Sequence, residues 1–211
     1  MATPPSQNAP LAPTPEELDR AVTVWGRVVG TQEHFNDMCM RVRTLYATLI
    51  GALIAAYGFL IDKSKGSLTV AGFTMDAIIP IALAGVWLAA MFYFVDRYWY
   101  HALLKGAVDQ GAEIETRWAA HIPEIRMGSK ISTRSAVDLG GKPLKYLFAR
   151  LLIADTRLKT TRKLHSDAKI EIFYKPIMMF MLLIAAFSTL TGGIKIDGKS
   201  VIQTVRSAVS S

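Results

Sequence analysis

The 211-residue chain has a single cysteine, Cys39, and no charged residue in three long stretches. One cysteine cannot form an internal disulfide, which excludes a disulfide-stapled extracellular scaffold, and we expect Cys39 to be a buried, inert thiol. The uncharged stretches are 44–61, 77–95 and 176–194, with 18, 19 and 19 residues. Since about 20 apolar residues span the hydrocarbon core of a bilayer, these three runs predict transmembrane helices.

Recognisable catalytic motifs are also absent. The sequence has no nucleophile elbow, Walker phosphate loop, zincin helix or dinucleotide fingerprint. The three predicted spans lack Asp, Glu, Lys, Arg and His, which ion-coupled transporters and intramembrane enzymes commonly use. None of the four histidines pairs with a cysteine or another histidine at ligand spacing; they are His34, His101, His121 and His165. We therefore expect no enzyme, no metal and no cofactor, and an interfacial position for His101.

The composition supports a membrane environment. Apolar residues make up 51% of the chain and the mean hydropathy is +0.28, which is too apolar for an ordinary globular surface. The alternative, a soluble protein with three buried helices, would leave too few polar residues to shield them. The predicted fold class is an all-α integral membrane protein with three transmembrane helices and cytoplasmic helical extensions.

The N-terminal segment differs from the rest. The first fifteen residues contain five prolines and no charge, so they can bury little and cannot build a helix. Residues 1–14 are predicted to be a disordered Pro-rich tail. The basic and apolar regions of a secretory signal are both missing there.

A helix start follows this tail. Thr14 can cap a helix whose first residue is Pro15 and whose third is Glu17, since this arrangement satisfies orphan backbone donors. Gly30 favours a break, so residues 15–43 are predicted to form one cytoplasmic helix or two.

Loop charge predicts the orientation. Residues 62–76 contain two lysines and two aspartates, whereas residues 96–175 contain 15 Lys or Arg against 9 Asp or Glu. By the positive-inside rule the longer region is cytoplasmic. The N-terminus is then cytoplasmic as well, while loop 62–76 and the tail 195–211 are external. The predicted location is the inner (plasma) membrane of a bacterium, as a multi-pass protein.

The second span ends in an aromatic and charged boundary that is typical of a membrane interface. The predicted interface residues are Tyr93, Arg97, Tyr98, Trp99 and Tyr100. No turn signal follows before Pro123, so the span is predicted to continue into the cytoplasm as one long helix. Its proposed apolar stripe comprises Trp99, Leu103, Ile114 and Trp118, with Glu113, Glu115 and Arg117 facing water.

The rest of the cytoplasmic region, 96–175, is predicted to contain an irregular loop at 123–143, rich in Gly, Ser, Thr and basic residues. An amphipathic helix is predicted at 144–160, where leucines and basic residues fall on opposite faces. Its apolar face packs either on the cytoplasmic helices or on the membrane surface, and the sequence leaves both open.

Basic residues precede the third span, and we interpret them as facing the anionic headgroups of the lipid bilayer. Each such charge gains about 1 kcal/mol near an anionic surface. The set comprises Arg157, Lys159, Arg162, Lys163, Lys169 and Lys175. A nucleotide or nucleic-acid site is the alternative, but neither a Gly-rich phosphate loop nor an interleaved aromatic platform accompanies it. Nucleic acid is therefore the less favoured partner.

Small residues recur at helical spacing in two spans. They are Ala47, Gly51, Ala55 and Gly58 in the first span, and Gly85 and Ala89 in the second. Such faces let another helix approach closely. The partner helix belongs either to the same chain or to a second copy, and we predict a homo-oligomer.

Two spans joined by a short outer hairpin, the second prolonged by the helix DRYWYHALLKGAVDQGAEIE, resemble the SLATT-type membrane proteins of bacterial conflict systems. The resemblance covers roughly residues 31 to 121 and concerns architecture; the third span departs from the pattern. It implies a pore-forming effector. Our leading hypothesis is a self-associating inner-membrane protein, an oligomeric pore or effector regulated by its cytoplasmic helices. The alternative is a non-catalytic scaffold or accessory subunit that docks a protein partner on the cytoplasmic side.

Overall fold

The computed structural model describes residues 12–62, 66–70, 73–135, 137–138, 163–164, 166–191, 194–196 and 199–200. Three long helical segments dominate these residues, and each is long and apolar enough to cross a membrane. The helices are α1 (Pro15–Asp62), α2 (Ile78–Phe94), α3 (His101–Trp118), α4 (Met127–Ser135) and α5 (Ser166–Leu190). The strands are β1 (Ser67–Val70), β2 (Phe73–Asp76), β3 (Val137–Asp138), β4 (Lys163–Leu164), β5 (Ile194–Ile196) and β6 (Lys199–Ser200).

Helix α1 begins as the sequence predicts. The backbone N–H of Glu17 donates to Thr14 Oγ1 at 3.3 Å, and the backbone N–H of Thr14 donates to a Glu17 carboxylate oxygen at 2.8 Å. These reciprocal bonds form a capping box. The helix is 48 residues long and has no break near residue 30, so of the two alternatives for residues 15–43 the single helix is the one observed. Gly30 is tolerated because the helix packs along α2 and α3, and tertiary packing outweighs a modest propensity loss.

The second long helix is continuous from α2 through α3, as predicted, but it contains a π-helical turn at Val95–Tyr100. The sequence analysis did not predict this turn. A π turn inserts an extra residue and changes which side chains face inward. Here it carries the buried Asp96.

Helix α5 begins at Ser166, ten residues before the uncharged run that starts at Pro176. Pro176 lies inside the helix. The polar first turns of α5 therefore pack beside the end of α2 and the start of α3, where they supply several charged side chains to the interior.

The core lies where α1, α2 and α5 meet. Its buried members are Tyr46, Ile50, Ala89, Ile170 and Tyr174. Tyr46 and Tyr174 are fully buried, with ring centroids 4.6 Å apart. Aromatic pairs of this kind add to the stabilisation that burial of the two rings provides.

A four-stranded antiparallel sheet lies at one end of the three long helices, and the all-α prediction did not include it. Its strand order is β1-β2-β5-β6. Strand β2 pairs with β5, with Phe73 opposite Ile196 and Met75 opposite Ile194. The sheet therefore joins the segment between the first two helices to the segment that follows α5.

The segment predicted as an irregular loop at 123–143 contains regular structure. A 3₁₀ turn covers Pro123–Ile125 and α4 covers Met127–Ser135, so the loop prediction is wrong there. Strand β3 then pairs with β4. The predicted amphipathic helix 144–160 lies outside the described residues.

Candidate functional site: a buried polar network between the helices

The most prominent polar feature is a carboxylate buried among the three long helices. Asp96, on the π turn, has no solvent exposure. Arg43 of α1 binds it with two hydrogen bonds, from Nε to Oδ2 at 2.7 Å and from Nη2 to Oδ1 at 3.1 Å. The Tyr174 hydroxyl of α5 donates to Oδ2 at 3.1 Å. One carboxylate thus ties all three helices together by charge-assisted bonds.

Cys39 lies on α1, one turn before Arg43, and is buried as predicted. Its burial, together with the nearby Asp96 charge, raises the thiol pKa to about 11. Because the thiolate is the reactive form of cysteine, Cys39 is an inert thiol at neutral pH.

A second layer of charges surrounds Asp167 in the first turn of α5. His101 Nε2 lies 2.9 Å from Asp167 Oδ1, Arg97 Nη1 lies 3.3 Å from the same oxygen, and Lys105 Nζ lies 3.7 Å from Oδ2. Burial acts to raise the pKa of Asp167, but Arg97, Lys105 and His101 outweigh it and hold that pKa below its ordinary value. Asp167 therefore stays ionised at neutral pH.

Burial lowers the pKa of His101 below its usual value, against the opposing attraction of Asp167. His101 is 7% exposed and therefore lies inside the protein, whereas its position at the membrane interface stays a prediction. As a neutral ring it donates from Nε2 to Asp167. His101 is the residue that directly follows the π turn.

Glu171, one turn after Asp167 on α5, is a further buried carboxylate in this layer. The glutamate is 5% exposed, and its carboxylate accepts a hydrogen bond from Lys175 Nζ at 2.8 Å. Arg97 Nη2 lies 3.9 Å from the other oxygen. Lys175 and Arg97 thereby offset the cost of burying this carboxylate.

A separate polar contact lies at the far end of α3. Glu115 is 5% exposed, so the prediction that it faces water is wrong. Its carboxylate accepts the backbone N–H groups of Gly128 at 2.7 Å and Ser129 at 3.0 Å, and Trp25 Nε1 approaches it at 3.4 Å. Glu115 thus caps the first turn of α4, where an anion is favourable.

The predicted apolar stripe of α3 is only partly correct. Ile114 is buried, but Trp99 is 60% exposed and Leu103 is 44% exposed. Gly111 faces α1 instead, where Gln32 Nε2 donates to the Ala107 carbonyl at 2.9 Å. A Cβ at Gly111 would lie 2.6 Å from Gln32 Nε2, so the absent side chain allows this close approach.

The predicted interface residues face in two directions. Tyr98 and Trp99 are exposed, whereas Tyr93 packs against the core and Arg97 is half-buried in the polar network. Tyr100 is partly buried. The π turn separates the two groups, because it rotates successive side chains differently from an α-helix.

The two predicted small-residue faces differ in whether another helix covers them. Gly85 and Ala89 face the interior: a Cβ at Gly85 would lie 3.3 Å from Met181, and Ala89 is fully buried. In α1 the four small residues are exposed, and a Cβ at Gly51 or Gly58 would meet nothing within 4 Å. The first face therefore has no partner helix among the described residues.

Few of the predicted lipid-facing basic residues have described side chains. Lys169 Nζ donates to the Ser135 carbonyl at 2.6 Å, and Lys175 pairs with Glu171. Both therefore bind protein groups. The side chains of the others lie outside the described residues; they are Arg157, Lys159, Arg162 and Lys163.

The sequence analysis missed the central trio of Arg43, Asp96 and Tyr174. A signal was present, since Arg43 immediately precedes the first uncharged run and Asp96 immediately follows the second. The first two long helices are antiparallel, so the start of the first run and the end of the second lie at the same level. Arg43 and Asp96 are therefore brought side by side. Tyr174, the partner from α5, has no comparable signal in the sequence.

The network can hold the three long helices in register. Among the described residues no group of three or more His, Cys, Asp or Glu is placed to hold a metal ion. Its acidic groups are bound by arginine, lysine, tyrosine or histidine. Comparison with known proteins found no matching family model, no curated relative and no similar solved structure.

Proposed function

We propose that this chain is a multi-pass bacterial inner-membrane protein that self-associates through the outward face of α1 and acts on the membrane as an oligomeric effector. The observation that carries the proposal is the exposed small-residue face of α1, formed by Ala47, Gly51, Ala55 and Gly58. Faces of this type let helix backbones approach closely in lipid. Helix α1 is the long helix whose small-residue face has no partner among the described residues.

The distribution of apolar side chains supports the membrane step. Large apolar residues are widely exposed along α2 and α5, among them Trp87 at 66%, Leu183 at 66% and Phe187 at 69%. A soluble protein rarely exposes so continuous an apolar surface. In a bilayer the same apolar side chains would contact lipid tails.

The sheet supports a three-span topology. Pairing of β2 with β5 brings the segment between α1 and α2 to the same end as the segment after α5. Ser188 Oγ strengthens this link by donating to Asp76 Oδ2 at 3.2 Å. If the chain crosses the membrane three times with its N-terminus inside, both of these segments lie on the outer side, as their pairing requires. The same orientation satisfies the positive-inside rule.

The test is the mass of the full chain in lipid nanodiscs, expressed alone, with two neighbouring alanines compared. Both Ala55 and Ala56 are exposed on α1, but they point about 100° apart around the helix. Ala55→Leu fills the small-residue face, whereas Ala56→Leu adds the same atoms beside it. We expect a defined homo-oligomer that Ala55→Leu dissociates and Ala56→Leu leaves intact.

A monomeric wild-type chain, or equal masses for both variants, would overturn self-association through this face. A monomer would instead favour the scaffold that docks a protein partner. If the oligomer forms, ion leakage from liposomes containing the wild-type chain distinguishes a pore from a non-conducting effector, and Ala55→Leu is expected to abolish that leakage.

A further inference from the structure

An open cavity of about 920 Å³ runs along α4, and the described residues that line it all lie within 126–135. Three basic residues line it at a spacing of four: Arg126, Lys130 and Arg134. Arg126 directly precedes α4, and since a helix rises 1.5 Å per residue, the Cα atoms of the three residues span about 12 Å along its axis. Met127 and Ile131 line the same cavity and are 39% and 59% exposed. The lining thus combines a row of cations with an apolar strip.

None of these three cations forms a salt bridge or side-chain hydrogen bond in the described part of the chain. Several basic residues elsewhere do pair with carboxylates, among them Arg43, Arg97 and Lys105. Three cations on one cavity wall repel one another at this spacing, and a bound anion would relieve that repulsion. The arrangement therefore favours a ligand with several negative charges.

Helix α4 is held at both ends, which fixes the row in place. A helix of nine residues is marginal by itself. Glu115 of α3 caps its N-terminus through Gly128 and Ser129, and Lys169 of α5 binds the Ser135 carbonyl at its C-terminus at 2.6 Å. The backbone that carries the three cations is consequently held in place, so binding would order their side chains but not the helix.

We propose that this cavity binds a soluble compound that carries two or more phosphate groups. Arg126, Lys130 and Arg134 bind the phosphates, and Met127 and Ile131 contact the organic part. Arginine and lysine are the side chains that proteins commonly use to bind phosphate oxygens.

The choice of a soluble source over a lipid headgroup rests on the proposed membrane insertion. Glu115 lies nineteen residues beyond Asp96, or about 28 Å along the helix. A headgroup layer is only roughly 5 to 8 Å thick. Arg126, close to the Glu115 level, is therefore too far from the bilayer to bind its headgroups.

The experiment is calorimetric titration of the full chain in nanodiscs of neutral phosphatidylcholine, with ATP and inorganic tripolyphosphate as probes. We expect saturable binding of at least one probe. Lys130→Gln and Arg134→Gln should each weaken it about tenfold, as loss of a charge-assisted bond does. Arg117→Gln, which removes an exposed cation outside the cavity on α3, should leave the affinity within about twofold.

The site would be overturned if neither probe showed saturable binding. It would also be overturned if the Arg117 and Arg134 variants lost equal amounts of affinity. Hydrogen exchange of α4 in nanodiscs with and without phosphatidylglycerol tests the lipid source. Protection of α4 only with phosphatidylglycerol would assign the cations to headgroups and refute the soluble ligand.

Repeating the titration on Ala55→Leu separates this proposal from self-association. Binding that persists in a monomeric variant supports the cavity whatever the fate of the oligomer. Circular dichroism of each variant verifies the helical fold, and both substituted cations are exposed, so the fold is expected to survive.

Discussion

Arg43 and Asp96 lie 53 residues apart in the sequence and form a two-bond ion pair, with distances of 2.7 and 3.1 Å, between the first two long helices. The carboxylate has no exposure, whereas the Arg43 side chain retains 27%. Tyr174 adds a third helix to the same carboxylate. This pairing fixes the rotation of α1 against the second long helix, because neither charge can turn away without leaving the other buried and unpaired.

Asp96→Asn is expected to lower the free energy of unfolding by about 2 kcal/mol, below the usual range for a fully buried pair because Arg43 is partly exposed. Thermal unfolding in nanodiscs or detergent measures the change. Asp37→Asn is the matched control, since Asp37 pairs with Arg41 on the surface, with 56% and 72% exposure. Such a surface pair contributes little, and an equal loss in both variants would contradict the role assigned to Asp96.

His101 is expected to titrate below the ordinary imidazole value near 6.5, since burial lowers its pKa. A group that is less basic when folded contributes stability above the unfolded pKa and loses it as the pH falls. Acidification from about pH 7 to pH 5 should therefore destabilise the protein, and His101→Gln should reduce that dependence. Ring NMR shifts and unfolding at both pH values measure it.

The exposed His34 serves as the control for this titration. Replacing His34 with glutamine is expected to leave the pH dependence of stability as it is in the wild type. A His101 pKa above 6.5 would show that the attraction of Asp167 outweighs burial, which reverses the predicted sign.

Glu115→Ala is expected to release the first turn of α4, because the Gly128 and Ser129 N–H groups lose their acceptor. Loss of a helix cap costs about 1 kcal/mol. Hydrogen exchange at these two amides should accelerate about fivefold, which corresponds to that energy. Glu113→Ala changes an exposed glutamate on the same helix and should leave both amides protected; acceleration in both variants would refute the cap.

Gly85→Leu is expected to destabilise the fold, because a Cβ there already lies 3.3 Å from Met181. Overpacking of this kind costs about 1 to 3 kcal/mol. Gly51→Leu meets nothing within 4 Å and should leave the stability of the protomer nearly unchanged while weakening association. Comparing the thermal midpoints of dissociated protomers separates the two effects, and equal midpoints would mean that Gly85 is not packed as described.

The sequence by itself determined the long helices, because their signals are local. Length and lack of charge predicted three helices able to span a membrane, and Thr14 with Glu17 predicted the first cap correctly. The continuity of the second long helix followed from the absence of turn residues before Pro123. Each of these features depends on neighbours within a few residues.

Only the tertiary structure decided which charges are buried and which faces are covered. Glu115 and His101 carry no local mark of burial, since a buried carboxylate or imidazole is stable only when a distant group satisfies it. The π turn that directs Asp96 inward and the pairing of β2 with β5 likewise depend on contacts between remote segments. Equivalent small-residue patterns on α1 and α2 differ for the same reason: Met181 covers Gly85, whereas Gly51 lies on the outer surface.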